Sequence, residues 1–266
     1  MDDRELLKGR IKDLAFKSQQ NDCLTRTDFL SVSEQSLFFD IIKELGREGK
    51  VRLTQEDYLL YGGFADAERR IVCFLPSYLP APTFIENEED LSKLIACVRI
   101  EPLNARFSDE LTHRDYLGTI MGLGLERDQI GDIICSDRYA VVFVLKKAAT
   151  VLEQELTRVK HTTVSCREIP LGACDISPQF ELKSLNIASE RTDVIIAAVY
   201  HLSRTAAQEL IKAGSLSVNG RVITDPGYFL KPADRVSVRG KGKFIYEGSG
   251  GTTRKGRLNA DVKLFV

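Results

Sequence analysis

His113-Arg114-Asp115 is the stretch of this 266-residue chain that most directly suggests catalysis. A histidine can act as a general base, and His-Arg-Asp is the core of a kinase catalytic loop. The remaining kinase parts are absent: no Gly-rich loop with a lysine precedes it, no metal-binding Asn stands at the right offset, and no Asp-Phe-Gly follows. His113 also has no Ser, Cys or Asp partner set by spacing, so it reads as a polar group at a helix start. Gly122-Leu123-Gly124 lacks the third glycine and the preceding strand of a dinucleotide site. Gly62-Gly63 has neither a following helix nor a Lys-Ser/Thr pair, and reads as a turn. The six cysteines (Cys23, Cys73, Cys97, Cys135, Cys166, Cys174) form no CxxC pair, and the three histidines are far apart, which argues against zinc. Cysteines inside apolar runs, such as Ile71-Val72-Cys73-Phe74, suit small buried hydrophobes in a reducing compartment. No catalytic residue, metal ligand or cofactor is therefore assigned.

The residues that do converge are basic, and they suit a polyanion. Residues 182–266 hold 14 Lys and Arg against 7 Asp and Glu, a net of +7, so the remaining residues carry −8 to give −1 for the whole chain. Such asymmetry concentrates attraction for nucleic acid in one module. Within it, residues 194–200 are an apolar helix, and Ser203 is a plausible N-cap for a second helix through Lys212. Arg204, Gln208 and Lys212 are spaced i, i+4, i+8 and share a face, while Ala207, Leu210 and Ile211 turn inward. Gly214 can supply the left-handed C-cap. Asn219-Gly220 between two apolar runs predicts a hairpin, Asp225-Pro226-Gly227 a turn, and residues 235–239 a final strand.

This order resembles the S-four domain, an RNA-binding module. The matching residues are Arg191, Asp193, Ser203-Arg204, Ala207, Ile211-Lys212, Gly214, Val218-Asn219-Gly220, Val222, Pro226, Lys231-Pro232 and Asp234-Arg235-Val236. Thr192 and Ala233 stand where the family usually has Leu and Gly. On this reading Arg191, Arg204, Lys212, Arg221, Lys231 and Arg235 contact phosphates. Ser203, Gln208 and Asn219 donate to RNA backbone or 2′-OH groups, although Asn219 is also what the hairpin needs for positive φ. Arg239, Lys241, Lys243, Arg254, Lys255 and Arg257 extend the basic strip.

The elements before this module predict an α+β chain. Residues 1–50 read as helices, the second over residues 34–48 with Asp28 and Ser33 as candidate caps. Residues 71–75 read as a buried strand, and Pro76, Pro80, Pro82 and the acidic run 86–90 as a connector. Strands at 94–100, 131–135, 139–145 and 162–167, with helices at 114–123 and 148–159, give a β-α-β-β-α-β order. That order fits a ferredoxin-like sandwich of the RNA-recognition-motif type. Its strands offer only Tyr139 and Phe143 for stacking bases. The expected division is 1–90 (helical and mixed), 91–175 (RRM-like), 182–240 (S-four) and 241–266 (basic extension).

Gly62-Gly63-Phe64 with Glu68-Arg69, residues 111–118, Gly122-Leu123-Gly124-Leu125-Glu126-Arg127 and Ile130-Gly131-Asp132-Ile133 together resemble the bacterial YlmH family. So does the tail, residues 239–244 and 252–257. The resemblance spans about residue 29 to the end. It implies a non-catalytic protein, related to RqcP, that binds rRNA and tRNA on the large ribosomal subunit during ribosome-associated quality control, with no cofactor and no small-molecule substrate. Two alternatives stand beside it: an RNA-modifying enzyme or accessory of the pseudouridine synthase or methyltransferase type, and a cell-division adaptor. The acidic start and the lack of a long apolar run predict a cytoplasmic protein without a membrane partner, with a monomer as the working expectation.

Overall fold

Phe38, Ile41 and Leu45 recur at helical spacing and are fully buried, which fixes one face of the second helix of the chain. The computed structural model describes residues 3–104, 108–176, 178–252 and 256–265. The chain divides into two units, Met1–Ser177 and Pro178–Val266. In the first, α1 (Asp3–Asn21), β1 (Thr25–Arg26), α2 (Val32–Arg47), β2 (Tyr58–Tyr61) and β3 (Ile71–Phe74) build a helical pair over a small sheet of order β1-β3-β2. The cap of α2 is Ser31 rather than Asp28 or Ser33. Its hydroxyl accepts from the Glu34 N–H and the Glu34 carboxylate accepts from the Ser31 N–H, a reciprocal capping box. The expected proline-rich connector instead folds into two short helices, α3 (Ala81–Glu86) and α4 (Glu88–Ser92). Their reason is burial, because Phe84 and Leu91 are inserted into a core.

The middle of the chain follows as β4 (Ile95–Pro102), α5 (His113–Gly122), β5 (Ile130–Cys135), β6 (Ala140–Leu145), α6 (Lys146–Glu155), β7 (Arg158–Val159) and β8 (Thr162–Ile169). The sheet order is β5-β6-β4-β8-β7, antiparallel throughout. Without the two-residue β7 this is the strand order of a ferredoxin-like sandwich. The Asp115 carboxylate accepts from the Thr112 N–H at 2.8 Å and hydroxyl at 2.7 Å, which starts α5. Gly124, at φ +87°, follows its end, so the glycine pair there terminates a helix.

Both faces of this sheet are covered. Val98, Ile100, Val142 and Val144 pack on Tyr116 and Ile120 of α5 and Leu152 of α6. On the other face Cys97, Val141 and Phe143 pack on Phe29, Ile71, Cys73, Phe84 and Leu91 from the N-terminal elements. Phe143 is fully buried with its ring 5.0 Å from that of Phe64. Tyr139 lies under the Arg99 guanidinium at 3.6 Å and donates to Asp175 at 2.6 Å. The open aromatic sheet on which RNA-recognition motifs stack bases is thus filled with protein.

The motif residues Gly62-Gly63, Glu68-Arg69 and Gly131-Asp132 form the joint between these two layers. A Cβ on Gly63, at φ +100°, would lie 2.2 Å from a Phe143 ring carbon, and one on Gly131 would lie 2.8 Å from the Phe29 ring. Asp132 accepts the backbone N–H groups of Glu68 (2.6 Å) and Arg69 (3.1 Å). The Arg69 guanidinium donates to the carbonyls of Ile130, Phe29 and Arg127 at 2.9–3.1 Å. Burial pushes the Asp132 carboxyl above its ordinary range, opposed by those two N–H bonds.

The second unit is one antiparallel sheet with two helices on one face. Its elements are β9 (Phe180–Ile187), α7 (Thr192–Val199), α8 (Arg204–Lys212), β10 (Leu216–Val218), β11 (Arg221–Ile223), β12 (Asp234–Val238), β13 (Gly242–Thr252) and β14 (Leu258–Phe265), in the order β11-β10-β12-β13-β14-β9. Ile195, Ile196, Val199, Ala207 and Ile211 pack on Val218, Val236, Phe244, Tyr246 and Val262. Within residues 241–266, expected as an extension, Gly242–Thr252 and Leu258–Phe265 are two strands of this sheet. Glycines and register shifts at Tyr246/Gly248 and Gly250/Thr252 break the period-two pattern that would have announced them.

Gly63→Ala is expected to destabilise the first unit by about 2 kcal/mol or more, through overpacking against Phe143. Gly118→Ala, in α5 with nothing within 4 Å of the new Cβ, should stabilise it by about 0.5–1 kcal/mol. Urea denaturation checks both, and equal midpoints for the two variants would contradict the joint.

Candidate nucleic-acid interface

Asp193 has no exposed surface, yet sits at the start of α7 amid four donor groups. Arg191 grips it bidentately, Nε to Oδ1 and Nη2 to Oδ2, both at 3.1 Å. Arg204 Nε reaches Oδ2 at 3.0 Å and Gln208 Nε2 the same oxygen at 2.7 Å. Burial opposes the charged carboxylate, but the bonds from Arg191, Gln208 and Arg204 outweigh it and hold its pKa down at about 2. The cluster retains one net positive charge. Its guanidinium groups reach the surface: side-chain exposure is 35% for Arg191 and 59% for Arg204. Arg204 uses only Nε on Asp193, so its Nη groups suit a phosphate. As the first residue of α8, it lies where the helix dipole disfavours a cation, and the Asp193 pair offsets this.

The sequence positions these groups through local rules. The Ser203 hydroxyl accepts from the Ala206 N–H at 3.1 Å and caps α8, as expected. Gly214 at φ +70° ends α8 in a Schellman arrangement, with Gly214 N–H to Ile211 O and Ser215 N–H to Leu210 O. Lys212 occupies the last turn, exposed and favourably placed for the dipole. Thr192, where the related modules usually have Leu, is buried with its hydroxyl donating to Tyr228 O at 2.6 Å.

Two expected RNA donors are instead committed to the fold. Gln208 binds Asp193. Asn219, at φ +49°, donates to Asp234 at 2.8 Å and accepts from the Arg235 N–H at 3.0 Å, which locks the hairpin to β12. Asp234, buried beneath, also accepts from the Lys231 N–H at 2.8 Å. The Asp193 hub itself was not foreseen, although Arg-x-Asp followed by Arg eleven and Gln fifteen residues later carried the signal.

The remaining basic residues do not form one strip. Asp234, Val236 and Val238 of β12 and Phe244 and Tyr246 of β13 point toward the helices, so Arg235 and Lys243 lie on the opposite sheet face. Arg221 pairs with buried Val218 and is on the helix side at the edge strand. Lys231 is exposed in the turn before β12, and Arg239 and Lys241 are exposed at the β12–β13 turn. Arg257 donates to Asn186 O at 2.6 Å. Arg254 and Lys255 lie outside the described residues. Among the described residues there is no His, Cys, Asp or Glu group that could hold a metal ion, and no helix long and apolar enough to cross a membrane.

Residues 95–173 match the family model described as "Putative RNA-binding domain in YlmH", and residues 190–236 match that of the S4 domain. This chain carries YlmH-type and S4 RNA-binding domains. Over 233 residues it is 29% identical to the "Ribosome-associated protein quality control protein P2" of Bacillus subtilis (strain 168), covering 86% of this chain and 82% of that protein. A 50-residue stretch is 42% identical to an uncharacterised RNA pseudouridine synthase of Mycoplasma pneumoniae, spanning 19% of this chain and 16% of that one. The structure titled "Cell division protein ylmH from Streptococcus pneumoniae" superposes with a TM-score of 0.48 at 16% identity, over 65% of this chain and 95% of that one.

Because the folded pKa of Asp193 is depressed from 3.8 to about 2, its contribution to S4-unit stability is present above pH about 3.8 and lost as pH falls through about 2. Asp193→Ala should cost about 2–3 kcal/mol at neutral pH, less than a fully buried pair because Arg204 is largely exposed. It should also flatten the acid limb of the stability profile. Denaturation between pH 2 and 7 checks this, and parallel profiles for the two proteins would contradict it. Ala233 sits at φ +70°, so Ala233→Gly should raise stability by about 0.5–1 kcal/mol, measured as a shift in Tm.

Proposed function

We propose that this chain binds RNA of the large ribosomal subunit, without catalysing a reaction, in the quality control of stalled peptidyl-tRNA. The observation that carries the reading is similarity over 86% of the chain to a ribosome-associated quality control protein, with both RNA-binding domains in the same chain. The S4 unit is the part that meets RNA. Arg191, Arg204, Lys212 and Arg221 contact phosphates on its helix side. Lys231, Arg239 and Lys241 extend the contact through the turns, and Arg235 and Lys243 serve a second face. The closed middle sheet supports a scaffolding role for the YlmH-type domain, since neither of its faces is open to stacked bases.

Sedimentation of the full chain with purified large subunits, with and without bound peptidyl-tRNA, tests the reading. The expected result is preferential binding to the tRNA-loaded subunit, weakened at least about tenfold by Arg204→Ala/Lys212→Ala together. Equal binding to empty subunits would point to assembly. Absence of binding to either would overturn the ribosomal reading.

A further inference from the structure

Phe229 is an aromatic ring with 58% of its surface exposed, and it stands beside the arginine cluster that the RNA-binding reading uses. Its backbone neighbours fix where it stands. The Thr192 N–H donates to Tyr228 O at 2.8 Å and the Leu230 N–H to Glu190 O at 3.3 Å, with Arg191 and Phe229 bridged between them in antiparallel sense. Those two bonds flank the bridge, so Arg191 and Phe229 are a non-hydrogen-bonded antiparallel pair. Such pairs have Cα atoms about 4.5 Å apart and project their side chains to one side.

The platform around the ring is firmly held. Asp193 N–H donates to Pro226 O at 3.3 Å, and the Asp225 carboxylate accepts from the Gly227 N–H at 2.8 Å. The Thr192 hydroxyl adds its bond to Tyr228 O. On the neighbouring chain segment Arg191 is drawn to buried Asp193, and Arg204 meets it there. An exposed phenyl ring and two guanidinium groups tied to one carboxylate therefore share one small surface. That combination suits an RNA nucleotide whose base is unpaired, because the base can stack on the ring while the adjacent phosphates meet the arginines. A base pair inside a continuous duplex is stacked on both sides and has no free face to offer.

We propose that Phe229 is a stacking platform for an unpaired RNA base, which makes this face of the S4 unit selective for looped or single-stranded RNA over continuous duplex. This rests on the RNA-binding reading and adds to it a specificity that charge alone does not supply. Stacking of a base on an aromatic side chain corresponds to about 5- to 100-fold in affinity.

The test uses the full chain, an RNA stem-loop carrying 2-aminopurine in its unpaired loop, and a blunt RNA duplex of equal length. The expected result is that wild type and Phe229→Tyr quench the 2-aminopurine and prefer the stem-loop. Phe229→Ala should lose the quench and about 5- to 100-fold of stem-loop affinity, while duplex affinity stays within about twofold and the salt dependence is unchanged. Stem-loop affinity and quench equal to wild type in Phe229→Ala would overturn the stacking role and leave RNA binding standing. So would an equal loss on both RNAs, which would mean that the ring supports the fold or the charged face. Failure of the wild type to bind either RNA would overturn the RNA-binding reading, and the stacking role with it.

Discussion

A carboxylate with no exposed surface holds the S4 unit's polar face together. Asp193 cannot remain charged in that position unless donors replace the water it has lost, and Arg191, Arg204 and Gln208 do so. The bonds run from the start of α7 to the first two turns of α8, so one ion fixes the relation between the helices. The same bonds restrict two arginines that would otherwise sample many rotamers. A ligand phosphate meeting such a restrained guanidinium loses less side-chain entropy than one meeting a mobile lysine. The charge balance also matters: two cations on one anion leave the surface positive, so the element that stabilises the fold keeps its attraction for RNA.

A different constraint governs the first unit. Its middle sheet has the topology on which many RNA-recognition modules display aromatic residues, but the N-terminal sheet and short helices occupy that face. Gly63 and Gly131 let Phe143 and Phe29 pack without room for a Cβ, and Arg69 and Asp132 satisfy the carbonyl and N–H groups exposed by the joint. The motifs that mark this unit in sequence are therefore packing devices. The fold class alone would have suggested an RNA surface that the packing removes.

Much of the architecture was legible because it follows local rules. The Ser203 cap, the Gly214 terminator, the Asn219-Gly220 hairpin and the β-α-β-β-α-β order each depend on residues within a few positions of one another. The parts that were not legible depend on distant partners. Gln208 looked like an outward donor from its helical spacing, and only the approach of Asp193 from the preceding helix turns it inward. Asn219 was ambiguous for the same reason, until Asp234 and the Arg235 N–H claimed both ends of its amide. The segment holding β13 and β14 reads in sequence as a basic tail because bulges in β13 disrupt strand alternation, and β9, the outer partner of β14, lies more than fifty residues earlier. The short helices at 81–92 were hidden by prolines and an acidic run, and exist because Phe84 and Leu91 find a core.

The measurement that tests the central claim most directly is the salt dependence of binding to large ribosomal subunits, compared for the wild type and Arg204→Ala. If the outer edge of the Asp193-held guanidinium meets a phosphate, removing it should reduce the slope of log K against log salt by roughly 0.7–0.9. Parallel lines, with only a uniform drop in affinity, would mean that Arg204 serves the fold alone and that RNA is held elsewhere.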